Sequence, residues 1–358
     1  MAGLLDHIRR RIQLEGPMSV AEYMHLCLAH PKHGYYRNRD PFGEGGDFIT
    51  APEISQMFGE LVGLWAVAVW ESLGAPNPVQ LVELGPGRGT LMSDALRAAN
   101  QAPAFLDALK VNFFETSPIL RETQAAALSE FGPSWHEDLT SLAAGPAIFI
   151  ANEFFDALPI RQFERSAAGW QERLIGADSN GDLQFQLSPP QHTNPYIPST
   201  LETLPGGAVF EINTAAQGMV GEMTSRIVGE GGAALIIDYG YVEGSNVDTL
   251  QAVKEHAYHN VLQAPGDADI TAHVDFSAIS MAALDGGAQI YGPVGQGNFL
   301  RSLGIRERAQ QLSANASERQ AADIGSALNR LTAPDSMGDL FKVMALTSSG
   351  GPMPPGFE

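Results

Sequence analysis

The chain has 358 residues, a length typical of about two domains, and it carries 21 basic against 41 acidic residues for a net charge of −20. Apolar residues make up 44% of the chain, which excludes a disordered protein because disorder goes with low hydrophobicity. The acidic balance disfavours a nucleic-acid-binding surface, which requires clustered lysine and arginine.

Cysteine content and hydropathy exclude further classes of protein. The single cysteine, Cys27, rules out an intrachain disulfide and any cysteine-based metal cluster. No run reaches the roughly 18 apolar residues of a membrane span, so membrane insertion is not expected. The N-terminus lacks the continuous apolar core of a secretory signal. We therefore expect a cytoplasmic protein in a bacterium, or a mitochondrial-matrix protein in a eukaryote.

Residues 1–78 are predicted to form a helical N-terminal region with a glycine-rich loop in its middle. A proline after this loop predicts the start of a long apolar helix from about Glu53 to Leu73. Within the loop, Gly45–Thr50 is a candidate lid over a bound cofactor, and Asp47 and Phe48 are its candidate cofactor contacts.

Short apolar runs alternate with helical patterns in two later parts of the chain. Residues 79–159 contain the strands VQLVEL, KVNFFE and AIFIAN, which predict a doubly wound parallel sheet covered by helices. Residues 160–205 alternate polar and apolar positions between turn sequences, which predicts an antiparallel β insertion. Residues 206–358 resume the α/β pattern and complete a Rossmann-like domain.

The last hundred residues are predicted in less detail. A helical stretch is expected from about Asn298 to Leu331, followed by MGDLFKVMAL as the final strand. The C-terminal tail GGPMPPGFE is expected to fray, as chain termini commonly do.

The sequence VQLVELGPGRGTL carries most of the chemical information. A buried strand ends near Glu83, and Gly85, Gly87 and Gly89 then form a tight turn into a helix. Glycines allow positive φ and a close approach of the backbone to a ligand. The free amides at the helix N-terminus favour a carboxylate or phosphate, so this turn is a candidate cofactor site.

The spacing of the glycines argues against a dinucleotide. Thr90 stands where the dinucleotide fingerprint requires its third glycine. The second strand ends in Glu115, which is placed to accept hydrogen bonds from ribose hydroxyls, and Asp138, after a short strand-like piece near Trp135, is a candidate contact for an adenine amino group. These positions fit an adenosine with an amino-acid tail, the shape of S-adenosylmethionine.

Six strings spread in order over nearly the whole chain match one family: HGYY (33–36), GDFITAPEISQMFGE (46–60), ELGPGRGTL (83–91), NEFFDALP (152–159), IDYGY (237–241) and DITAHVDF (269–276). On these strings the chain resembles the MidA family of class I S-adenosylmethionine-dependent methyltransferases, whose mitochondrial members are complex I assembly protein-arginine methyltransferases. The resemblance implies S-adenosylmethionine as cofactor and ω-N-methylation of arginine. It also implies a protein substrate such as a subunit of the respiratory NADH dehydrogenase.

An arginine substrate stays protonated and therefore needs carboxylates to hold its guanidinium. Glu153 and Asp156 follow the strand AIFIAN and are the candidate ligands of that group, with Asn152 beside them. Asp238 after a later strand is a further candidate, and His273 is a candidate proton acceptor because its ordinary pKa lies near 6.5.

Structural roles compete with these catalytic ones. Asp156 could instead cap the following helix, and His273 could be held by a hydrogen bond to Asp275. No metal is predicted, since His256 and His259 lack a clear third ligand.

Three other functions remain open from the sequence. A small-molecule methyltransferase could use the same fold, because a fold does not determine its substrate. A non-catalytic assembly factor could keep the cofactor pocket for stability. A nicotinamide-dependent dehydrogenase is disfavoured by Thr90.

Overall fold

A computed structural model describes residues 3–38, 50–190, 194–243 and 248–358. The central sheet of this described chain contains β1 (Val79–Leu84), β2 (Leu109–Phe114), β3 (Ser134–His136), β4 (Ala147–Asn152), β5 (Gly232–Tyr241), β6 (Gln289–Gly295) and β7 (Phe341–Thr347). The strands lie in the order β3-β2-β1-β4-β5-β7-β6. The first five are mutually parallel, whereas β7 runs antiparallel to both of its neighbours. The predicted Rossmann-like sheet is confirmed.

Helices cover both faces of this sheet, because alternate residues of each strand point to opposite sides. Leu81 and Ile148 belong to one apolar core, and their neighbours Val82 and Phe149 belong to a second core on the other face. The helices are Leu4–Glu15, Val20–Ala29, Tyr35–Asn38, Ala51–Ile54, Gln56–Ser72, Thr90–Ala98, Pro103–Ala108, Pro118–Ala127, Thr214–Glu230, Phe276–Asp285, Gln296–Ser302, Ile305–Ser313 and Glu318–Thr332.

The predicted β insertion is an antiparallel sheet, but it extends beyond its predicted limits. It contains strands Met18–Ser19, Arg161–Ser166, Gly169–Ala177, Leu183–Leu187 and Val209–Ile212. The first of these comes from the N-terminal region, and the last lies after residue 205. Through the strand Met18–Ser19, the sheet therefore attaches the N-terminal helices to the strands of the β insertion.

A third sheet is absent from the sequence-based prediction. Its strands are Gln251–Lys254, Ala257–His259 and Asp269–Thr271, all paired antiparallel. A two-residue turn at Glu255 and His256 joins the first two strands, and both residues have positive φ, as a type I′ hairpin requires. The usual Asn-Gly signature of such a turn is missing, which explains why the sequence did not predict it.

Two predicted helices are interrupted. The helix expected from Glu53 to Leu73 breaks at Ser55, whose backbone is extended and whose side chain accepts a hydrogen bond from the Met57 amide. The stretch 298–331 forms three helices, because Gly304 adopts a left-handed conformation and Ser317 caps a new helix with a capping box.

The predictions for the end of the chain are partly wrong. The final strand starts only at Phe341, after a turn over Pro334–Gly338. The tail does not fray, because the ring of Phe357 packs 5.4 Å from that of Phe299 and 6.4 Å from that of Tyr291. Packing of this partly buried ring against the strand of Tyr291 and the helix of Phe299 holds the C-terminus in place.

A buried carboxylate joins three of the helices. Glu60 is 5% exposed and accepts hydrogen bonds from Arg308 Nε at 2.7 Å and from Arg97 at 3.1 Å. These arginines lie on helices Thr90–Ala98 and Ile305–Ser313, which pack beside the helix of Glu60. Hydrogen bonds to a buried charge contribute more than neutral ones, so this cluster stabilises the packing of that face.

We expect Glu60→Gln to lower the free energy of unfolding by about 2 kcal/mol, because it removes the carboxylate that Arg308 binds and leaves Arg97 only its pair with Asp94 at 2.8 Å. The measurement is the urea midpoint of unfolding. Glu15→Gln is the matched control, since the Glu15 side chain is 65% exposed and pairs only with Arg11 at the surface. Equal midpoint shifts for the two variants would show that the Glu60 cluster adds nothing.

Candidate active site

A cavity of about 660 Å³ opens at the carboxyl ends of β1, β2, β4 and β5. Ligands bind at this edge in open α/β sheets. The turns after these strands line it, together with the helix Tyr35–Asn38 and the sheet that contains Gln251–Lys254. The structure therefore brings together residues that are up to 316 positions apart in the chain, from His25 to Phe341.

The glycine turn after β1 has the conformation predicted for it. Gly85, Gly87 and Gly89 all have positive φ, at 64°, 53° and 82°. A Cβ at Gly85 would lie 2.9 Å from a ring carbon of Phe154, so position 85 leaves little room for a side chain. Thr90 begins the helix and donates a 2.6 Å hydrogen bond to Glu53. The turn thus offers a bare backbone surface to the cavity.

Two buried acids lie beside this turn. Burial raises the pKa of Glu83 to about 8, and its Oε2 atom has no hydrogen-bond partner among the described residues. Glu115 is 8% exposed and accepts a 2.7 Å hydrogen bond from the Ser117 amide; burial also raises its pKa. Both carboxyl groups are therefore available to a polar ligand that enters the cavity.

The fully buried Gln124 connects the parts of this subsite. Its Nε2 donates to the Gly87 carbonyl at 2.7 Å and to Glu115 at 3.3 Å, while its Oε1 accepts from Trp135 at 2.7 Å. The amide therefore holds the glycine turn against the ends of β2 and β3. Sequence reasoning missed it, since a glutamine inside a helix carries no local sign of such a role.

The turn after β4 supplies the acids at the other end of the cavity. Glu153 has a φ of 49°, which is uncommon for a residue other than glycine and typical of functional sites. Its Oε1 accepts from the Ala51 amide at 3.1 Å and from Asn152 at 3.3 Å. Burial raises its pKa to about 7, so the group changes charge near neutral pH.

Asp156 faces the same space. Its Oδ2 accepts a 2.6 Å hydrogen bond from the hydroxyl of Tyr239, and its Oδ1 is buried without a partner among the described residues. Burial raises its pKa to about 6. Asp156 does not cap a helix. Its Oδ1 atom remains an acceptor without a partner among the described residues, and the residue lines the cavity.

The structure corrects the prediction for Asp238. Its carboxylate is completely buried and does not line the cavity. One oxygen accepts hydrogen bonds from three successive amides of residues 154–156, at 3.0–3.3 Å, and the other from the Tyr239 amide at 2.9 Å. With both oxygens bonded to backbone amides, Asp238 stabilises the turn that carries Glu153.

His273 lies on the cavity lining, and burial lowers its pKa. Its ring packs edge-on against Tyr239 at 5.4 Å, and its imidazole makes no hydrogen bond to any described residue. The alternative of a bond to Asp275 is wrong, because Asp275 caps the helix Phe276–Asp285 through the Ala278 amide. A neutral imidazole in this place stays a candidate proton acceptor.

Other predicted contacts lie elsewhere. Asp138 is exposed, does not line the cavity, and caps a short turn by accepting from the Ser141 amide at 3.0 Å. Its predicted adenine contact therefore gains no support. Asp47 and Phe48 lie outside the described residues. Over the described ranges, no three His, Cys, Asp or Glu side chains are grouped to hold a metal ion.

Two tyrosines complete the substrate end and were not predicted. Tyr239 donates to Asp156, and the half-buried Tyr36 donates a 2.8 Å hydrogen bond to Asp269. Both tyrosines lie within strings that carry the family resemblance, HGYY and IDYGY. The strings gave neither tyrosine a role, and only the folded chain shows which acid each one contacts.

The sheet order and the cavity at its carboxyl edge define a class I S-adenosylmethionine-dependent methyltransferase. Residues 61–294 match the family described as "Putative S-adenosyl-L-methionine-dependent methyltransferase", and the chain belongs to that family. The dehydrogenase alternative is thereby excluded.

Named relatives match over almost the whole chain. "Protein arginine methyltransferase NDUFAF7, mitochondrial" from Danio rerio is 38% identical over 97% of this chain and 87% of its own length. The Homo sapiens protein of that name is 36% identical over 96% of this chain and 83% of its own. A crystal structure from Burkholderia thailandensis with bound S-adenosyl-homocysteine has a TM-score of 0.84 and 27% identity, covering 99% of this chain and 92% of that one.

S-adenosylmethionine is the cofactor of this family, and the cavity fits it. The Gly85 and Gly89 amides donate to the backbone carbonyls of Phe114 and Pro86, so the amides left for the carboxylate of the amino-acid tail are that of Gly87 and those of the helix N-terminus at Thr90. The Oε2 atom of Glu83, which has no partner among the described residues, offers an acceptor for a nearby donor. Glu115 would accept from the ribose hydroxyls. The cofactor supplies an already activated methyl group on a sulfonium, so the protein has mainly to orient the acceptor and balance charge.

None of the described helices combines the length and apolar character that crossing a membrane requires.

Proposed function

We propose that this methyltransferase transfers methyl groups to arginine side chains of a protein. The observation that carries the proposal is the pair of acids Glu153 and Asp156, held side by side on one turn at the edge of the cofactor cavity. A guanidinium is a permanent cation with five N–H donors, and two carboxylates are the groups that grip it. The name shared by the relatives supports the same substrate class.

The reaction forms a nitrogen–carbon bond as the sulfur–carbon bond breaks, and the guanidinium then releases one proton. Glu153 is placed to orient the attacking nitrogen, since its position is fixed by the Ala51 amide. The free Oδ1 of Asp156 would accept a second N–H of the same group. The released proton has three acceptors within the lining: either carboxylate, or the unbonded imidazole of His273.

Incubation with radiolabelled S-adenosylmethionine tests the proposal. The acceptors are two pools of 13-residue peptides with a central arginine or a central lysine, and all other positions randomised over residues other than arginine and lysine. We expect label only in the arginine pool, with methylarginine after hydrolysis. Label in neither pool, but in a small molecule of a metabolite extract, would establish the small-molecule alternative. Bound cofactor without any turnover would indicate an assembly factor.

The pH dependence of the reaction should follow Glu153. Below pH 7 its carboxyl group is neutral and attracts no cation, whereas above pH 7 it is a carboxylate that binds the guanidinium. We therefore expect kcat/KM for the arginine pool to rise about tenfold per pH unit below pH 7 and to level off above it. Glu153→Gln should remove the inflection near pH 7 and leave the one near pH 6 that Asp156 contributes, whereas the surface variant Glu15→Gln should retain both.

The partner follows from the resemblance to complex I assembly methyltransferases. We infer that the protein substrate is a subunit of the respiratory NADH dehydrogenase, in the compartment where that enzyme is assembled. Mass spectrometry of purified NADH dehydrogenase, before and after incubation with the methyltransferase and its cofactor, would reveal a new methylarginine. An unchanged spectrum would show that NADH dehydrogenase is not the substrate and that the methyltransferase acts on another protein.

A further inference from the structure

The small three-stranded sheet forms one wall of the active-site cavity. Tyr258 lies directly opposite Val253, and Val253 lies opposite Asp269 on the next strand. Residues that face each other across antiparallel strands point to the same side of the sheet. All three line the cavity, as do Gln251 and its partner Thr271 in the neighbouring row. We call this face the entry wall.

The opposite face of the same sheet is buried in the interior of the protein. Ala252 and Ile270, which alternate with the wall residues, pack in the apolar core of the N-terminal helices and are each 1% exposed. A register shift of one residue would exchange the two faces, so the packed face and the hairpin turn together hold the wall in place.

The entry wall runs from solvent to the buried acids. Tyr258 is 85% exposed at its outer end, whereas Asp269 is 4% exposed at its inner end. Across the cavity, Leu340 is 47% exposed and also belongs to the lining. Exposed large apolar side chains that flank an active-site opening are typical of surfaces that contact a partner.

We propose that the entry wall receives the polypeptide on either side of the target arginine, and that Tyr258 contacts it. This inference rests on the proposed function. Continuity favours this occupant: the entry wall lines the same cavity as Glu153 and Asp156, and its outer row is exposed. A polypeptide with its arginine at those acids has flanking residues to lay on that outer row, whereas a free amino acid has none.

The experiment compares two acceptors in the complete protein with S-adenosylmethionine. One is N-acetyl-arginine amide, which has no flanking chain, and the other is the 13-residue peptide pool with central arginine. We expect Tyr258→Ala to lower kcat/KM about tenfold for the pool and to leave both the short acceptor and the affinity for S-adenosyl-homocysteine unchanged. Tyr258→Phe should restore most of the rate, because the ring supplies the contact area.

Leu14→Ala serves as the control for loss of an exposed apolar side chain, since Leu14 is 73% exposed and outside the cavity lining. It should leave both rates unchanged. If wild-type protein methylates neither arginine acceptor, the proposed function fails and this inference fails with it. If wild-type protein methylates the pool and Tyr258→Ala does so equally well, or if both acceptors lose rate alike, the inference alone is overturned.

Discussion

Gly87→Val is expected to abolish cofactor binding, with affinity for S-adenosyl-homocysteine weakened by about 100-fold or more. Gly87 has a φ of 53°, a conformation that a β-branched residue adopts only with strain. Its carbonyl also accepts the 2.7 Å hydrogen bond from Gln124, so a distorted turn would lose its link to Glu115. Titration calorimetry with S-adenosyl-homocysteine measures the effect.

Gly218→Val is the matched control, since Gly218 lies in the helix Thr214–Glu230 and a Cβ there meets no other atom within 4 Å. It should bind the cofactor product as the unmodified protein does. Circular dichroism of both variants establishes that each is folded. A folded Gly87→Val protein with unchanged affinity would show that the cofactor does not use this turn.

Glu153→Gln should separate binding from catalysis. The amide oxygen of glutamine can still accept the hydrogen bond from the Ala51 amide, so the turn should keep its shape. The negative charge that faces the guanidinium is lost, and we expect kcat for arginine peptides to fall on the order of 100-fold. Affinity for S-adenosyl-homocysteine should not change, because Glu153 lies at the substrate end of the cavity.

Glu115→Gln provides the complementary result. It removes a carboxylate beside the glycine turn, so it should weaken cofactor binding while leaving the rate at saturating cofactor close to normal. Full turnover by Glu153→Gln would remove Glu153 from the mechanism. Equal loss of cofactor affinity in both variants would show that the two acids do not serve separate ends of the cavity.

The cofactor half of the site could be predicted because it is local in sequence. Gly85, Gly87 and Gly89 follow a buried strand within a few residues, and strand, turn and helix are each encoded in the same short segment. Glu115 was predicted for a related reason, since parallel strands must end at the same edge of the sheet. Asp138 satisfied the same rule, but its side chain caps a local turn instead.

The substrate half depended on contacts between distant segments. Asp238 looked like a catalytic acid because it follows a strand, yet it binds the backbone of residues 154–156, more than 80 positions away. The entry wall requires a hairpin with no recognisable turn sequence. The prediction that the tail frays was wrong, because the ring of Phe357 packs against Tyr291 on a strand and Phe299 on a helix.

By itself, then, the amino-acid sequence determined the order of the parallel strands and helices, the glycine turn and the cofactor class, because periodicity and turn chemistry act over a few residues. Only the tertiary structure decided which acids keep an oxygen free to bind a substrate and which have both oxygens hydrogen-bonded to backbone amides. Hydrogen bonding and burial of a side chain depend on what packs against it, and those neighbours come from anywhere in the chain.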